Sequence, residues 1–185
     1  MKRLSILFLC SLAVIMFVLP LIQSARGGVV RQPLAAPEFT HTSPDDWLNS
    51  APLKLSDLRG KVVLVDFWAF DCWNCYRSFP WLKAMEARLT EKGLQVIGVH
   101  SPEFEREKVT ENIRKKIAEF GLQHPVMIDN DFSYWKAMAN RYWPAYYIID
   151  KNGLLRAAFV GETHAGDGQA KKIEAFLTDL LAESG

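Results

Sequence analysis

Cysteine is scarce in this chain: only Cys10, Cys72 and Cys75 occur among 185 residues. So few, with two of them three positions apart, argue against a structural disulfide framework, which uses more cysteines at longer spacings. Histidine is no more helpful to a metal. His41, His100, His124 and His164 are scattered without a His-x3-His spacing, and no second ligand pair accompanies the cysteines, which argues against structural zinc. A basic field is missing too. With Lys2, Arg3 and Arg26 set apart, residues 28–185 carry 19 basic and 21 acidic side chains, a net charge of −2. That balance offers nothing to nucleic acid or to an anionic membrane surface. There are no internal repeats, and the length suits one domain of ordinary size plus a leader.

The leader is the first thing present. Lys2 and Arg3 precede Leu4 to Ile22, an apolar run broken only by Ser5, Ser11 and Pro20. A charged start followed by an apolar stretch reads as an export signal, and the run is close to the length that spans a bilayer. Residues 1–27 are therefore a signal peptide or an N-terminal membrane anchor, and either takes the domain out of the cytoplasm. Membrane contact, if the leader is kept, is confined to residues 4–22. Cys10 reads as an apolar leader residue. Residues 28–51, with Pro33, Pro37 and Pro44, form a linker and edge segment whose first half reads as a tether. Residues 52–185 are the domain.

The chemistry concentrates in Val62 to Pro80, VVLVDFWAFDCWNCYRSFP. An apolar strand ends at Asp66-Phe67-Trp68, a short loop follows, and Cys72-Trp73-Asn74-Cys75 opens a helix. Two cysteines on a first helical turn can close a small disulfide. The free N–H groups and positive dipole of the helix start favour the thiolate of the first one, and the thiolate is the species that attacks disulfides. This is the layout of a dithiol redox site.

The rest of the chain builds a support for it. The pattern predicts a helix from Asn74 to about Lys92 with Phe79, Leu82, Met85 and Leu89 inward and Pro80 inside, then a strand at Leu94–His100. Phe104 to Phe120 reads as one helix with Val109, Ile113, Ile117 and Phe120 inward. A short strand at Pro125–Ile128 precedes a helix capped by Asp131 and running to about Tyr142. Ala145–Ile149 and Leu154–Val160 form a hairpin across Asp150–Gly153, and Lys171–Leu181 is the last helix. The order is α/β: a central mixed β-sheet flanked by helices on both faces. Asp129-Asn130-Asp131 lacks the glycine and terminal glutamate of a calcium loop and reads as a helix cap. His100 and Glu103 follow the second strand, at the sheet end where open α/β folds carry their sites.

Asp66-Phe67-Trp68-Ala69, the C-x-x-C after it, Pro80 five residues beyond Cys75 and the proline-headed strand before a hairpin resemble thioredoxin, over about Pro52 to Ala182. LSDLRGKVVLVDFW, VHSPEF and RYWPAYYIID are similar to the TlpA/DipZ-like (redoxin) branch of exported thioredoxin-like proteins. The resemblance implies a thioredoxin fold with an extra helix after the second core strand. It implies a thiol–disulfide oxidoreductase in which Cys72 is the nucleophile, Cys75 resolves, and Asp66 moves protons for the dithiol from a buried position with a raised pKa. It makes Pro144 a cis-proline that meets extended substrate, with Trp73 and Trp143 shaping what fits. It implies protein disulfide substrates, a membrane-embedded electron donor, a reductant's direction, no bound cofactor and no metal.

Some residues depart from the pattern. Asp71 replaces the tryptophan usual before the first cysteine, Trp73-Asn74 replaces Gly-Pro, and Leu94–His100 has no lysine to pair with Asp66. Two rivals remain. A peroxiredoxin-like peroxidase would want a threonine three residues before the cysteine, where Ala69 stands. A copper-delivery protein of the same fold would use a wider cysteine spacing and a histidine.

Overall fold

The computed structural model describes residues 28–184. The leader at 1–27, with Cys10, lies outside the described residues. Among the described residues no helix is long and apolar enough to cross a membrane.

Among the described residues seven strands form one mixed sheet. They are β1 (Gly28–Ala35), β2 (Trp47–Leu48), β3 (Val62–Trp68), β4 (Leu94–His100), β5 (Val126–Ile128), β6 (Ala145–Ile149) and β7 (Leu154–Val160), in the spatial order β1-β7-β6-β3-β4-β5-β2. β3 is central, parallel to β4 and antiparallel to β6. Every residue of β3 is buried, as a strand covered on both faces requires. Its side chains alternate between two cores. Val62, Leu64 and Trp68 join α1 (Trp73–Leu89), α2 (Thr110–Phe120) and α4 (Gly168–Ala182), while Val63, Val65 and Phe67 pack with Tyr134 and Met138. Tyr134 belongs to α3 (Ser133–Ala137). The expected fold class, including the extra helix α2 after the second core strand, is the one observed.

Four local expectations change. Gly28–Ala35 is an edge strand paired with β7, where the sequence predicts a tether; its backbone is satisfied by pairing although Val29 and Leu34 stay exposed. Phe104–Phe120 is broken: a 3-10 turn spans Glu105–Lys108, and α2 begins only at Thr110. Val109, predicted inward, sits at the break and is half exposed at 50%. The turn is held by the Glu107 side chain, which accepts from the backbone N–H groups of Glu103 and Phe104. The helix after Asp131 ends at Ala137 and not near Tyr142, as Ala139 takes a left-handed φ of 51°. Its amides are capped chiefly by Asp129, which accepts from Tyr134 and Trp135, with Asp131 accepting from Ser133. Finally α4 starts at Gly168, three residues early, because Asp167 caps the Ala170 amide.

Candidate redox site

The C-terminal end of β3 delivers the chain to the site. From Trp68 a short turn, closed by the Cys72 N–H on the Ala69 carbonyl at 3.2 Å, leads into α1. Cys72 is the N-cap of that helix and Cys75 lies in its first turn. The two are joined in a disulfide with Cα atoms 5.3 Å apart. Cys72 keeps 7% of its surface and Cys75 none, so Cys72 is the sulfur an incoming group meets. The Cys75 N–H donates to Cys72 Sγ at 3.3 Å. Helix-start amides aimed at that sulfur favour its negative charge once the bond is reduced. Trp73 between them stands 62% exposed, its ring edge-on to Tyr76 with the Arg77 guanidinium 5.8 Å away.

Asp66 sits between Val65 and Phe67 and so faces the opposite core from them, the one that contains Cys75 and α1. It is buried, and its Oδ1 has no hydrogen-bond partner among the described residues. Burial pushes its carboxyl up to about 8. Its neighbours are Gly98 on β4 and Tyr146 on β6, and among the described residues burial alone accounts for the shift.

The Trp143–Pro144 peptide is cis. Ala145 pairs with Phe67, which sets Pro144 at the same sheet end as Trp68 and the turn into Cys72. Trp143 is half-buried and fixed: its indole N–H donates to the Ser101 carbonyl at 3.0 Å and its ring packs on Trp135 at 4.2 Å. Of the three residues assigned to substrate, Trp73 is open to solvent, Trp143 is partly covered and Pro144 is buried.

His100, at the end of β4, is fully buried between Trp68, with ring centroids 4.8 Å apart, and Phe70, stacked at 5.6 Å. Neither of its ring nitrogens has a partner among the described residues, and burial pulls its pKa down to about 3. It is a neutral ring under the active-site turn. Glu103 is exposed, and burial of its carboxyl, then Glu107 and Asp71, raise its pKa.

Sequence reasoning missed Glu107. Its buried carboxylate accepts from the backbone of Asp71, Glu103 and Phe104. The available signal is VHSPEFERE itself, with a third acid four residues after Glu103 in a stretch held against the dithiol turn. As for metals, His41, Asp129 and Asp131 bring ligand-type atoms within 4.8 Å of one another. The Asp129 oxygens are already engaged by Ser101, Tyr134 and Trp135, which fits a cap better than an ion site.

Comparison with known proteins finds relatives of this fold. The model of the AhpC/TSA family matches residues 34–158. Protein DipZ of Mycobacterium bovis is 44% identical over 155 residues, which cover 80% of this chain and 22% of DipZ. The chain thus spans about a fifth of the length of that relative. Thiol-disulfide oxidoreductase YkuV of Bacillus subtilis is 30% identical over 155 residues, covering 84% of this chain and 98% of YkuV. Among solved structures, a thiol-disulfide isomerase from Corynebacterium glutamicum superposes with a TM-score of 0.65 at 27% identity, covering 80% of this chain and 98% of that one.

Proposed function

The chain belongs to the AhpC/TSA family, among its thioredoxin-like members, and from that premise we propose that it is an exported thiol–disulfide oxidoreductase that reduces protein disulfides through Cys72 and Cys75. The observation that carries the reading is the dithiol at the start of α1, with the outer sulfur the more exposed and the inner one sealed in the core that a buried, unpaired acid also faces.

In the reduced protein the Cys72 thiolate attacks one sulfur of a substrate disulfide. That S–S bond breaks, a Cys72–substrate disulfide forms, and the departing substrate thiolate takes a proton. Cys75 then loses its proton and attacks Cys72 Sγ. The second substrate sulfur leaves as a thiolate and is protonated, and the protein is left in the Cys72–Cys75 disulfide form. Two electrons have passed to the substrate. Asp66, whose pKa near 8 lets it hold or release a proton near neutral pH, serves Cys75 in that second step. Pro144 and Trp143 present the substrate's backbone to the sulfur, and the exposed Trp73 ring contacts its side chains.

Residues 1–27 place the domain outside the cytoplasm, as a cleaved signal or a retained anchor, and a membrane-embedded donor returns the two electrons. No cofactor is part of the scheme. Catalysed reduction of insulin by the full chain in the presence of dithiothreitol tests the reading, with Cys72→Ser expected to abolish turnover. Turnover retained by that variant would refute it. The direction is read from the equilibrium potential: about −270 mV marks a reductant, about −120 mV an oxidant. Ala69, buried where a peroxidase would carry threonine, leaves the peroxidase alternative without support.

A further inference from the structure

Two side chains, Glu107 and Arg106, fasten the segment between β4 and α2 to the dithiol turn. Glu107 is fully buried, yet every bond it makes is to a backbone amide of a loop. Its Oε1 accepts from Asp71 N–H at 2.8 Å, and its Oε2 accepts from Phe104 N–H at 2.8 Å and from Glu103 N–H. Asp71 is the residue directly before Cys72. Across the same junction Arg106 Nε meets Asp71 Oδ2 at 2.6 Å, with its guanidinium over the Phe104 ring.

Burying a carboxylate is costly unless donors surround it. A simple loop clasp could use a neutral amide or a backbone carbonyl at less cost. Here an anion is kept one residue from the attacking sulfur. Asp71, Glu103 and Glu107 together carry three carboxyl groups against one guanidinium, Arg106. Their closeness shows in Glu103, whose proton is held more tightly through burial and through these two neighbours. Other titratable groups on the surrounding elements are Arg77 on α1, bridged to Glu162 with His164 beside it, Asp66 on β3 and His100 on β4. Among the described residues none of these hydrogen-bonds the turn at 69–72.

We infer that Glu107 is a positioning residue for the dithiol: it fixes the turn that presents Cys72, and its charge makes the Cys72–Cys75 couple more reducing. The electrostatic sense follows directly. A fixed negative charge opposes the Cys72 thiolate, which exists only in the reduced form, so it favours the disulfide and strengthens the protein as an electron donor. The inference rests on the reading of Cys72 and Cys75 as a redox pair.

The test is the redox equilibrium of the full chain against glutathione, for wild type and Glu107→Gln, together with titration of the Cys72 thiolate by its ultraviolet absorbance. The substituted amide can accept through one atom only and carries no charge. The couple should shift toward the dithiol by about tenfold, or about 30 mV for two electrons, and the thiolate should form at lower pH. A folded variant with the wild-type potential and titration overturns the inference, since a purely structural role would lower the melting temperature and leave both unchanged. Amide exchange in the wild type needs no variant: the Asp71 N–H should exchange at least about tenfold more slowly than an open amide, and free exchange also overturns it. Neither readout needs a protein substrate. A wild type with a well-defined couple but no insulin reduction defeats the proposed function alone, and an unchanged potential beside normal turnover defeats only the role of Glu107.

Discussion

Asp66 on β3 and Tyr146 on β6 are direct cross-strand partners whose side chains share the face of the sheet that α1 covers. Burial raises the pKa of both, and the nearby Asp66 carboxyl adds to the effect on Tyr146. Where a lysine would stabilise a carboxylate, this site has a phenol on one side and Gly98 on the other. Asp66 is thereby kept as an acid that can part with its proton only slightly above neutral pH.

Asp66→Asn should therefore change stability in a pH-dependent way. The folded carboxyl titrates near 8, the unfolded one near 3.9. Between these values the folded state holds a proton that the unfolded state lacks, so wild-type stability falls as pH rises through that window. The variant should match wild type near pH 4 and exceed it by on the order of 5 kcal/mol at pH 8 in urea unfolding. An equal difference at both pH values would sink the assignment. Disulfide turnover by the variant should drop by on the order of a hundredfold through loss of the proton carrier.

His100→Phe should act on the acid side. The buried ring titrates near 3 in the fold and near 6.5 unfolded. In that interval the unfolded chain binds the extra proton, so wild-type stability is lost as pH falls from 6.5 toward 3. Phenylalanine fits between Trp68 and Phe70 and carries no such cost. Thermal melts at pH 7 and pH 4 should show the variant losing about 3 kcal/mol less than wild type between the two; parallel losses would contradict it.

Gly98→Ala probes the packing under the site. A methyl there would lie 3.0 Å from Trp68 Nε1, 3.1 Å from Val126 Cγ2 and 3.3 Å from His124 Nε2. All three belong to buried side chains. Overpacking of this kind costs about 1–3 kcal/mol, and differential scanning calorimetry should register a lowered melting temperature. An unchanged one would mean that the β3–β4 face yields more easily than its contacts imply.

Cys75→Ser should leave Cys72 able to attack but unable to be released. Mixed disulfides with partner proteins should then accumulate and vanish on reduction in a gel. Without such adducts, Cys72 is not the attacking sulfur.

The parts legible in the sequence are those with local signatures. The unbroken apolar run of β3, the C-x-x-C at a helix start and the Asp150–Gly153 turn each announce themselves within a few residues. What escapes depends on contacts across long separations. Glu107 lies in EREKVTENIRKK, where an acid reads as part of a solvated helix face; its partner Asp71 is 36 residues away, and a side chain bonding to backbone leaves no periodicity. Trp143 looks free to meet substrate because nothing nearby in sequence shows that Ser101 and Trp135 hold its ring. The helix after Asp131 reads as longer than it is, since Ala139 carries no obvious breaker. β1 is missed because an edge strand is stabilised by its backbone pairing, and its exposed Val29 and Leu34 break the alternation that marks a half-buried strand.

The direction of β1 fixes the end of the sheet at which the chain enters the domain. β7 runs parallel to β3, and β1 runs against both, with Gly28 beside Ala158 and Ala35 beside Leu154. The chain therefore enters the domain at the sheet end that carries Trp68, Pro144 and the dithiol. The entry point is three strands away from β3, about 14 Å at the usual strand spacing. A domain suspended by residue 28 hangs with its sulfurs turned back toward the point of suspension. Anything joined to the domain through residue 28 therefore lies on the dithiol side of the sheet, and the opposite end of the strands points away from that junction.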